Sequence, residues 1–156
     1  MLIRYFYIFI LFTFILWGCP LKKETDKTDT AQKYFRIRTD KKVYSRTGKE
    51  KITITAINIS HQDLYYLSPG INATLQRLKS GDWIDLGPWY DIIAIVPRKK
   101  SASPGDEIPI PSLPSDDEHL KKSGQYRICL NLFTNPDVTQ SLDVEDRVSN
   151  TFEIVD

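Results

Sequence analysis

The sequence has almost no excess of charge of either sign. Its 156 residues include 21 Lys and Arg against 20 Asp and Glu, a formal net charge of +1. Such a chain has no electrostatic basis for binding nucleic acid or for a polybasic contact with lipid headgroups. Histidine is also scarce, with His61 and His119 alone, and neither lies in a nucleophile-elbow motif or near a set of zinc ligands. These absences predict a protein without catalysis, metal or cofactor.

Acidic residues cluster at two places, and neither cluster has the pattern of a calcium loop. Calcium takes six or more oxygen ligands, often staged at alternate positions around a glycine. Residues 116–118 are acidic, but acids at this point are explained by the start of a helix. Residues 143–146 are predicted to lie on the last loop between strands, where charge is solvated. We therefore expect no metal at either cluster.

The longest apolar run is at the N-terminus and has the features of an export signal. Arg4 supplies the positive charge, and residues 5–17 are almost entirely aliphatic or aromatic, as in the apolar region of a secretory signal. As a helix this run would span about 20 Å, against about 30 Å for the hydrocarbon core of a bilayer. It is therefore short for a transmembrane helix, although an uncleaved signal anchor remains an alternative.

The run ends in Leu16-Trp17-Gly18-Cys19, which resembles the signal of bacterial lipoproteins. The resemblance implies that lipoprotein-processing enzymes attach a diacylglyceryl group to Cys19 and cleave between Gly18 and Cys19. Trp17 departs from the pattern, because this position is usually a small residue. The implied product is an exported protein held by lipid at the periplasmic face or surface of a bacterial membrane, since two or more acyl chains anchor stably. The alternative is an ordinary secretory signal in which Cys19 is incidental.

This interpretation divides the chain into three parts. Residues 1–18 form the signal peptide, residues 19–33 the lipidated cysteine and a polar, flexible tether, and residues 34–156 a single domain. With Cys19 bound to lipid, Cys129 has no partner within the chain, so no disulfide is predicted. We expect Cys129 to be a half-buried strand residue that behaves as a small apolar side chain.

From Tyr34 onward, apolar and polar residues alternate with period two between turn residues, which indicates β-strands. The clearest strand, 52–59, loses its apolar phase near residues 56–57, which predicts either a β-bulge or a stretch buried on both faces there. Alternating prolines place 107–113 at a sheet edge. Turns are predicted at 45–48 and 60–63, and a tight hairpin at 79–81. The remaining predicted strands are 34–39, 64–67, 73–78, 82–86, 91–96, 125–133 and 150–155.

One short helix is predicted between these strands. Ser115 and Glu118 have the spacing of a capping box. Lys121 and Lys122 follow in the last turn, and Gly124 provides the stop. The whole pattern predicts an all-β Greek-key sandwich of about 7–9 strands with one short helix.

Six short segments of the domain carry a resemblance to a known family. They are Val43-Tyr44, Gly48-Lys-Glu50, Ile52-Thr-Ile-Thr-Ala-Ile-Asn58, Gly81-Asp-Trp83, Pro104-Gly-Asp-Glu107 and Leu120…Gly124-Gln-Tyr126-Arg127. They resemble bacterial immunoglobulin-like domains that follow lipoprotein signals. The resemblance implies an extracytoplasmic accessory domain without specifying a ligand. It also implies that Tyr126 forms a tyrosine corner, with its hydroxyl on a nearby backbone group, and that Ile128 and Leu130 point inward and Cys129 outward.

Aromatic residues in the middle of the domain supply the candidate binding site. Trp89, Tyr90 and Tyr65 could contact a sugar or a peptide with flat, rigid rings. In the alternative interpretation, Trp83 and one Tyr of each pair fill the sandwich core.

The preferred function is a binding or accessory module of the bacterial envelope that captures a protein or a glycan. One alternative is a protease or hydrolase inhibitor that inserts residues 89–91 or 109–114 into an active site. The other is a structural protein of the envelope that assembles through an edge strand.

Overall fold

The computed structural model describes residues 33–68, 73–89 and 96–156. Among these residues, none of the helical segments has the length and apolar character needed to cross a bilayer. Several predicted features lie outside the described residues: the signal peptide 1–18, Cys19, the tether as far as residue 32, Tyr90, and residues 91–95 of the predicted strand 91–96.

The described residues form thirteen strands and two 3₁₀ turns. The 3₁₀ turns are Glu118–Leu120 and Val144–Asp146. The strands are β1 (Phe35–Thr39), β2 (Val43–Ser45), β3 (Lys51–Ile52), β4 (Ile54–Asn58), β5 (Leu64–Ser68), β6 (Thr74–Lys79), β7 (Asp82–Pro88), β8 (Arg98–Ala102), β9 (Glu107–Ile108), β10 (Leu113–Pro114), β11 (Gly124–Cys129), β12 (Leu132–Phe133) and β13 (Phe152–Val155).

These strands pair into one large and three smaller sheets. The large sheet has the order β2-β13-β11-β6-β7, and a three-stranded sheet has the order β1-β4-β9. The other two sheets of the described part are the two-stranded sheet β10-β3 and the three-stranded sheet β12-β5-β8. All pairs are antiparallel except β2 with β13. The predicted edge position of 107–113 is confirmed at β9, which is the last strand of its sheet.

The division of strands between sheets resembles that of an immunoglobulin-like sandwich. In such folds the first, second and fifth strands share one sheet, and the third, sixth and seventh share the other. Here β1, β4 and β9 form the first group, while β6, β11 and β13 belong to the second. β7 extends the second group beyond β6, as an additional strand does in variable-type domains. The all-β sandwich prediction is confirmed.

The core consists of side chains that alternate inward along each strand. Phe35 and Ile37 of β1 and Ile54 and Ala56 of β4 are buried. From the large sheet, Tyr44, Tyr126 and Phe152 are fully buried and contact one another through their rings, with centroids 5.7 Å apart for Tyr44 and Phe152 and 6.0 Å for Tyr126 and Phe152. Burying these large side chains provides the main stabilisation of the fold.

The predicted bulge at residues 56–57 is wrong. β4 pairs with β1 in continuous register from Ile54 to Asn58, and its inward positions are Ile54, Ala56 and Asn58. The apolar phase is lost because the inward residue is an asparagine rather than an aliphatic. The Asn58 amide donates to the carbonyls of Gln62 and Ala102 at 2.9 and 2.8 Å, so its burial is compensated by hydrogen bonds.

The predicted strand 125–133 divides between two sheets. β11 lies in the large sheet, whereas β12 pairs with β5. Between them, the Leu130 N–H donates to the Arg147 carbonyl at 2.8 Å. The tyrosine corner is present, because the Tyr126 hydroxyl donates to the Lys122 carbonyl four residues earlier. The chain therefore passes from the large sheet to the β12-β5-β8 sheet immediately after β11.

The capped helix predicted from Ser115 is reduced to the 3₁₀ turn Glu118–Leu120, and its N-cap is Asp117. Ser115 is fully buried, and its hydroxyl donates to the Ser45 carbonyl at 2.7 Å while accepting the Glu50 N–H at 2.9 Å. A hydroxyl engaged in these two bonds is not available to cap a helix. The capping-box prediction is therefore wrong, and Ser115 instead joins two distant segments of backbone.

The hairpin between β6 and β7 is confirmed, and its geometry determines which side chains face inward. Ser80 and Gly81 both have positive φ, 54° and 96°, as the two central residues of a type I′ turn require. The register then shifts between Leu75 and Gln76. The extra residue on β7, Leu86, packs against the core.

Candidate functional site

Of the three predicted binding aromatics, the structure describes Trp89 and Tyr65. Trp89 is 1% exposed, and its indole Nε1–H donates to the Pro111 carbonyl at 2.8 Å. The proposal that Trp89 contacts a ligand is therefore wrong, because the side chain belongs to the core. Tyr65 is partly exposed and its neighbour Tyr66 is buried, which confirms that one Tyr of this pair fills the core.

The partly exposed tryptophan is Trp83, which the alternative interpretation placed in the core. Trp83 lies on β7 opposite Leu78 and on the outer face of the large sheet. The guanidinium of Arg127 lies over its ring, 4.3 Å from the centroid. This distance is well within the range of a favourable cation–π contact.

Two polar residues extend this contact across the same face. The Arg127 Nε–H donates to Gln76 Oε1 at 2.7 Å, and the Gln76 amide donates to Asp85 Oδ1 at 2.6 Å. Three neighbouring strands, β11, β6 and β7, thus contribute to one row of side chains. We call Trp83, Arg127, Gln76 and Asp85 the outer platform.

The sheet register explains why these side chains meet. Arg127 pairs directly with Gln76, and Gln76 pairs with Asp85. Directly opposed residues on neighbouring antiparallel strands have side chains on the same face, close enough to contact. The inward face at this level is occupied by the adjacent residues Ile128 and Leu75, so the polar residues are directed away from the core.

The electrostatic environment of the outer platform is set by Arg127. Partial burial lowers the pKa of Arg127, and the nearby charges of Asp85 and Glu145 act in the opposite direction. The guanidinium remains charged at neutral pH. Among the described residues, its one recorded hydrogen-bond acceptor is Gln76. The remaining N–H groups of Arg127 belong to the outer face of the large sheet, where a binding partner could accept hydrogen bonds from them.

Cys129 lies next to this platform and is not a reactive thiol. It is on the face opposite to Ile128, as predicted, and it is more buried than expected, with 8% exposure. Burial raises the pKa of the Cys129 thiol, although the charges of Arg147 and Arg127 oppose the shift. A buried thiol with a raised pKa stays protonated at neutral pH and is a poor nucleophile.

The two histidines line different clefts. His61 is exposed. The ring Nδ1 of His119 is 2.8 Å from Asp117 Oδ1, which also accepts the His119 backbone N–H. Residues 33–68, 73–89 and 96–156 contain no group of three or more His, Cys, Asp or Glu that could hold a metal ion.

No family model and no curated protein matches the sequence.

The outer platform was not predicted from the sequence, because Trp83 was interpreted there as a core residue. A usable signal was present in the alternation of β7. Trp83 shares its face with Asp85, whereas Ile84 and Leu86 occupy the alternate positions. A carboxylate on the same face as a tryptophan indicates solvent on that side.

Proposed function

We propose that this chain is a lipid-anchored, extracytoplasmic immunoglobulin-like module without catalytic activity, which binds a protein of the bacterial envelope through the outer platform. The N-terminal sequence Leu16-Trp17-Gly18-Cys19 supports the lipid anchor. The sandwich fold supports a module that presents a rigid sheet face to a partner. The observation that carries the binding role is the stacking of Arg127 on the ring of Trp83 on this face.

The chemistry of the platform favours a protein over a glycan. Tryptophan and arginine are the residue types most enriched among the residues that dominate protein–protein binding energy. A sugar ring that stacked on Trp83 would compete with the guanidinium that already covers it. A protein can instead offer carbonyl or carboxylate oxygens to Arg127 while packing an apolar side chain beside the indole.

The position of the platform also suits a tethered module. Its residues belong to rigid strands rather than loops, so little side-chain and backbone ordering is required on binding. The polar tether predicted at residues 19–33 would allow the face to be oriented toward a neighbour in the same membrane.

Site-specific photocrosslinking in the producing cells tests this proposal. A photoreactive residue at Gln125, an exposed position of β11 beside the platform, is expected to give one discrete crosslinked protein. The matched control is the same residue at Arg36, an exposed position of β1 in the other sheet. Trp83→Ala combined with Arg127→Ala should remove at least nine-tenths of the Gln125 product, while cellular amounts of the chain stay unchanged.

Either of two results would contradict the binding role of the platform. One is a crosslinking pattern that is the same at Gln125 and at Arg36. The other is a discrete product at Gln125 whose yield is unaffected by the double substitution in the platform.

A further inference from the structure

A second surface feature lies on the inner side of the large sheet, away from the outer platform. It is a cleft of about 310 Å³ between the β6–β7 hairpin and the segment that contains the 3₁₀ turn Glu118–Leu120. We call it the Arg77 cleft. Its lining residues are Arg77, Leu86, Glu118, His119, Lys121, Lys122 and Tyr126.

The inner face of the large sheet is only partly covered next to the cleft. Ile84, which pairs with Arg77, is 45% exposed although it has the inward orientation of the core residues. The lining residues from outside β6, β7 and β11 are Glu118, His119, Lys121 and Lys122. Leu86 is partly exposed and provides the apolar part of the wall, since the Tyr126 side chain is fully buried.

Arg77 has a positive charge in this cleft, and no described carboxylate forms an ion pair with it. Its guanidinium donates to the Ser123 carbonyl at 3.2 Å and lies 5.9 Å from the centroid of the Tyr126 ring. Its Nε is buried without an acceptor among the described residues. A half-buried guanidinium with one carbonyl acceptor is costly, and an oxyanion that accepts from its Nη groups would offset part of that cost.

The other charged residues of the cleft are two lysines and one glutamate, so their sum is also positive. Lys121 and Lys122 contribute two further cations at its rim, and both are exposed. The one lining carboxylate, Glu118, is 3.8 Å from the Lys121 ammonium and is 71% exposed. The ring of His119 is held by Asp117. The lining therefore has an excess of cations over anions.

We infer that the Arg77 cleft binds a small organic oxyanion, a phosphate or carboxylate carried on an apolar ring or chain. The planar guanidinium of Arg77 presents paired N–H donors to such a group. The lysines at the rim hold the remaining charge, and Leu86 contacts the apolar part of the molecule. The volume is at the lower end of the range for small-molecule sites. This site is distinct from the outer platform and would have a ligand of its own.

Equilibrium dialysis of the full chain in mild detergent against phenyl phosphate tests this inference. Inorganic phosphate serves as the probe for charge alone. We expect phenyl phosphate to bind at least tenfold more tightly than inorganic phosphate, because only the former uses the apolar wall. Arg77→Gln should weaken phenyl phosphate binding at least tenfold. The matched control Arg36→Gln, an exposed strand arginine of the other sheet, should leave it unchanged.

A second variant covers the case in which Arg77→Gln does not fold. Lys121→Gln combined with Lys122→Gln changes two exposed side chains and should weaken phenyl phosphate binding severalfold. Phenyl phosphate that shows no saturable binding up to 10 mM would overturn the inference. So would equal affinity for both probes, or unchanged affinity in the lysine double variant.

Discussion

Replacing Trp89 with alanine is expected to lower the free energy of unfolding by about 3–5 kcal/mol, the range for deleting a large aromatic side chain from a core. Trp89 is among the largest fully buried side chains of the domain. Its backbone N–H donates to the Ala73 carbonyl and its indole to the Pro111 carbonyl. The substitution leaves a cavity between these two segments and removes the indole bond that joins them.

Matched substitutions separate these contributions. Trp83→Ala removes the same type of side chain from the outer face of the large sheet, and we expect a loss of about 1 kcal/mol or less, as for an exposed cation–π contact. Trp89→Phe retains most of the apolar volume and loses the indole donor, so its cost should be intermediate. Urea unfolding followed by far-ultraviolet circular dichroism measures all three. Equal losses for Trp83→Ala and Trp89→Ala would contradict the assignment of Trp89 to the core.

Stability is expected to fall steeply above about pH 10, the ordinary pKa of tyrosine. Burial raises the pKa values of Tyr44, Tyr66 and Tyr126, and for Tyr44 the hydrogen bond to Asp40 adds to the shift. A group whose pKa is higher in the folded state contributes stability that is fully present below its unfolded pKa. That stability is lost as the pH rises toward its folded pKa.

The size of this loss follows from proton linkage. Each tyrosine that stays neutral in the folded state while it ionises in the unfolded state contributes about 1.4 kcal/mol per pH unit. Tyr44 has the largest upward shift, so we expect it to contribute close to this full slope just above pH 10, while Tyr66 and Tyr126 add to it in the same direction. Urea midpoints measured between pH 8 and pH 11 provide the slope, which Tyr44→Phe should reduce more than Tyr126→Phe.

Ultraviolet absorbance of tyrosinate provides the independent check. In the folded protein, the three buried tyrosines should not titrate before the unfolding transition. If all of the tyrosines of the domain titrated near pH 10 while the circular dichroism stayed native, the burial of these hydroxyls would be contradicted.

The sequence predicted the elements whose determinants are local. The hairpin at 79–81 was identified correctly because a type I′ turn requires positive φ at two adjacent residues, and Ser80-Gly81 can adopt it. The tyrosine corner was implied by the resemblance to immunoglobulin-like domains, and it too is local, because the Tyr126 hydroxyl donates to a carbonyl only four residues away. Both features depend on chain geometry within a few residues, so a short segment contains the information needed.

Features that depend on distant partners could not be predicted in this way. The burial of Asn58 is possible because the Ala102 carbonyl, 44 residues away, accepts from its amide. Ser115 does not begin a helix because its hydroxyl binds backbone groups of Ser45 and Glu50. Without knowledge of those partners, the polar residue in β4 indicated a bulge and the serine indicated a cap.

The candidate site could not be predicted from the local sequence for the same reason. Trp83 and Trp89 have similar neighbours in the sequence, and composition does not decide which of them is buried. The difference arises from strand register, which aligns Trp83 with the face of Asp85 and Gln76, and from the Pro111 carbonyl that accepts from Trp89.

The mass of the intact protein, isolated from the membrane fraction of its own cells, tests the central claim that this is a lipid-anchored module. The account predicts the mass of residues 19–156 plus two or three acyl chains. An unmodified chain that begins at Met1 would contradict it. That result would make residues 1–17 a signal anchor and Cys19 a free thiol.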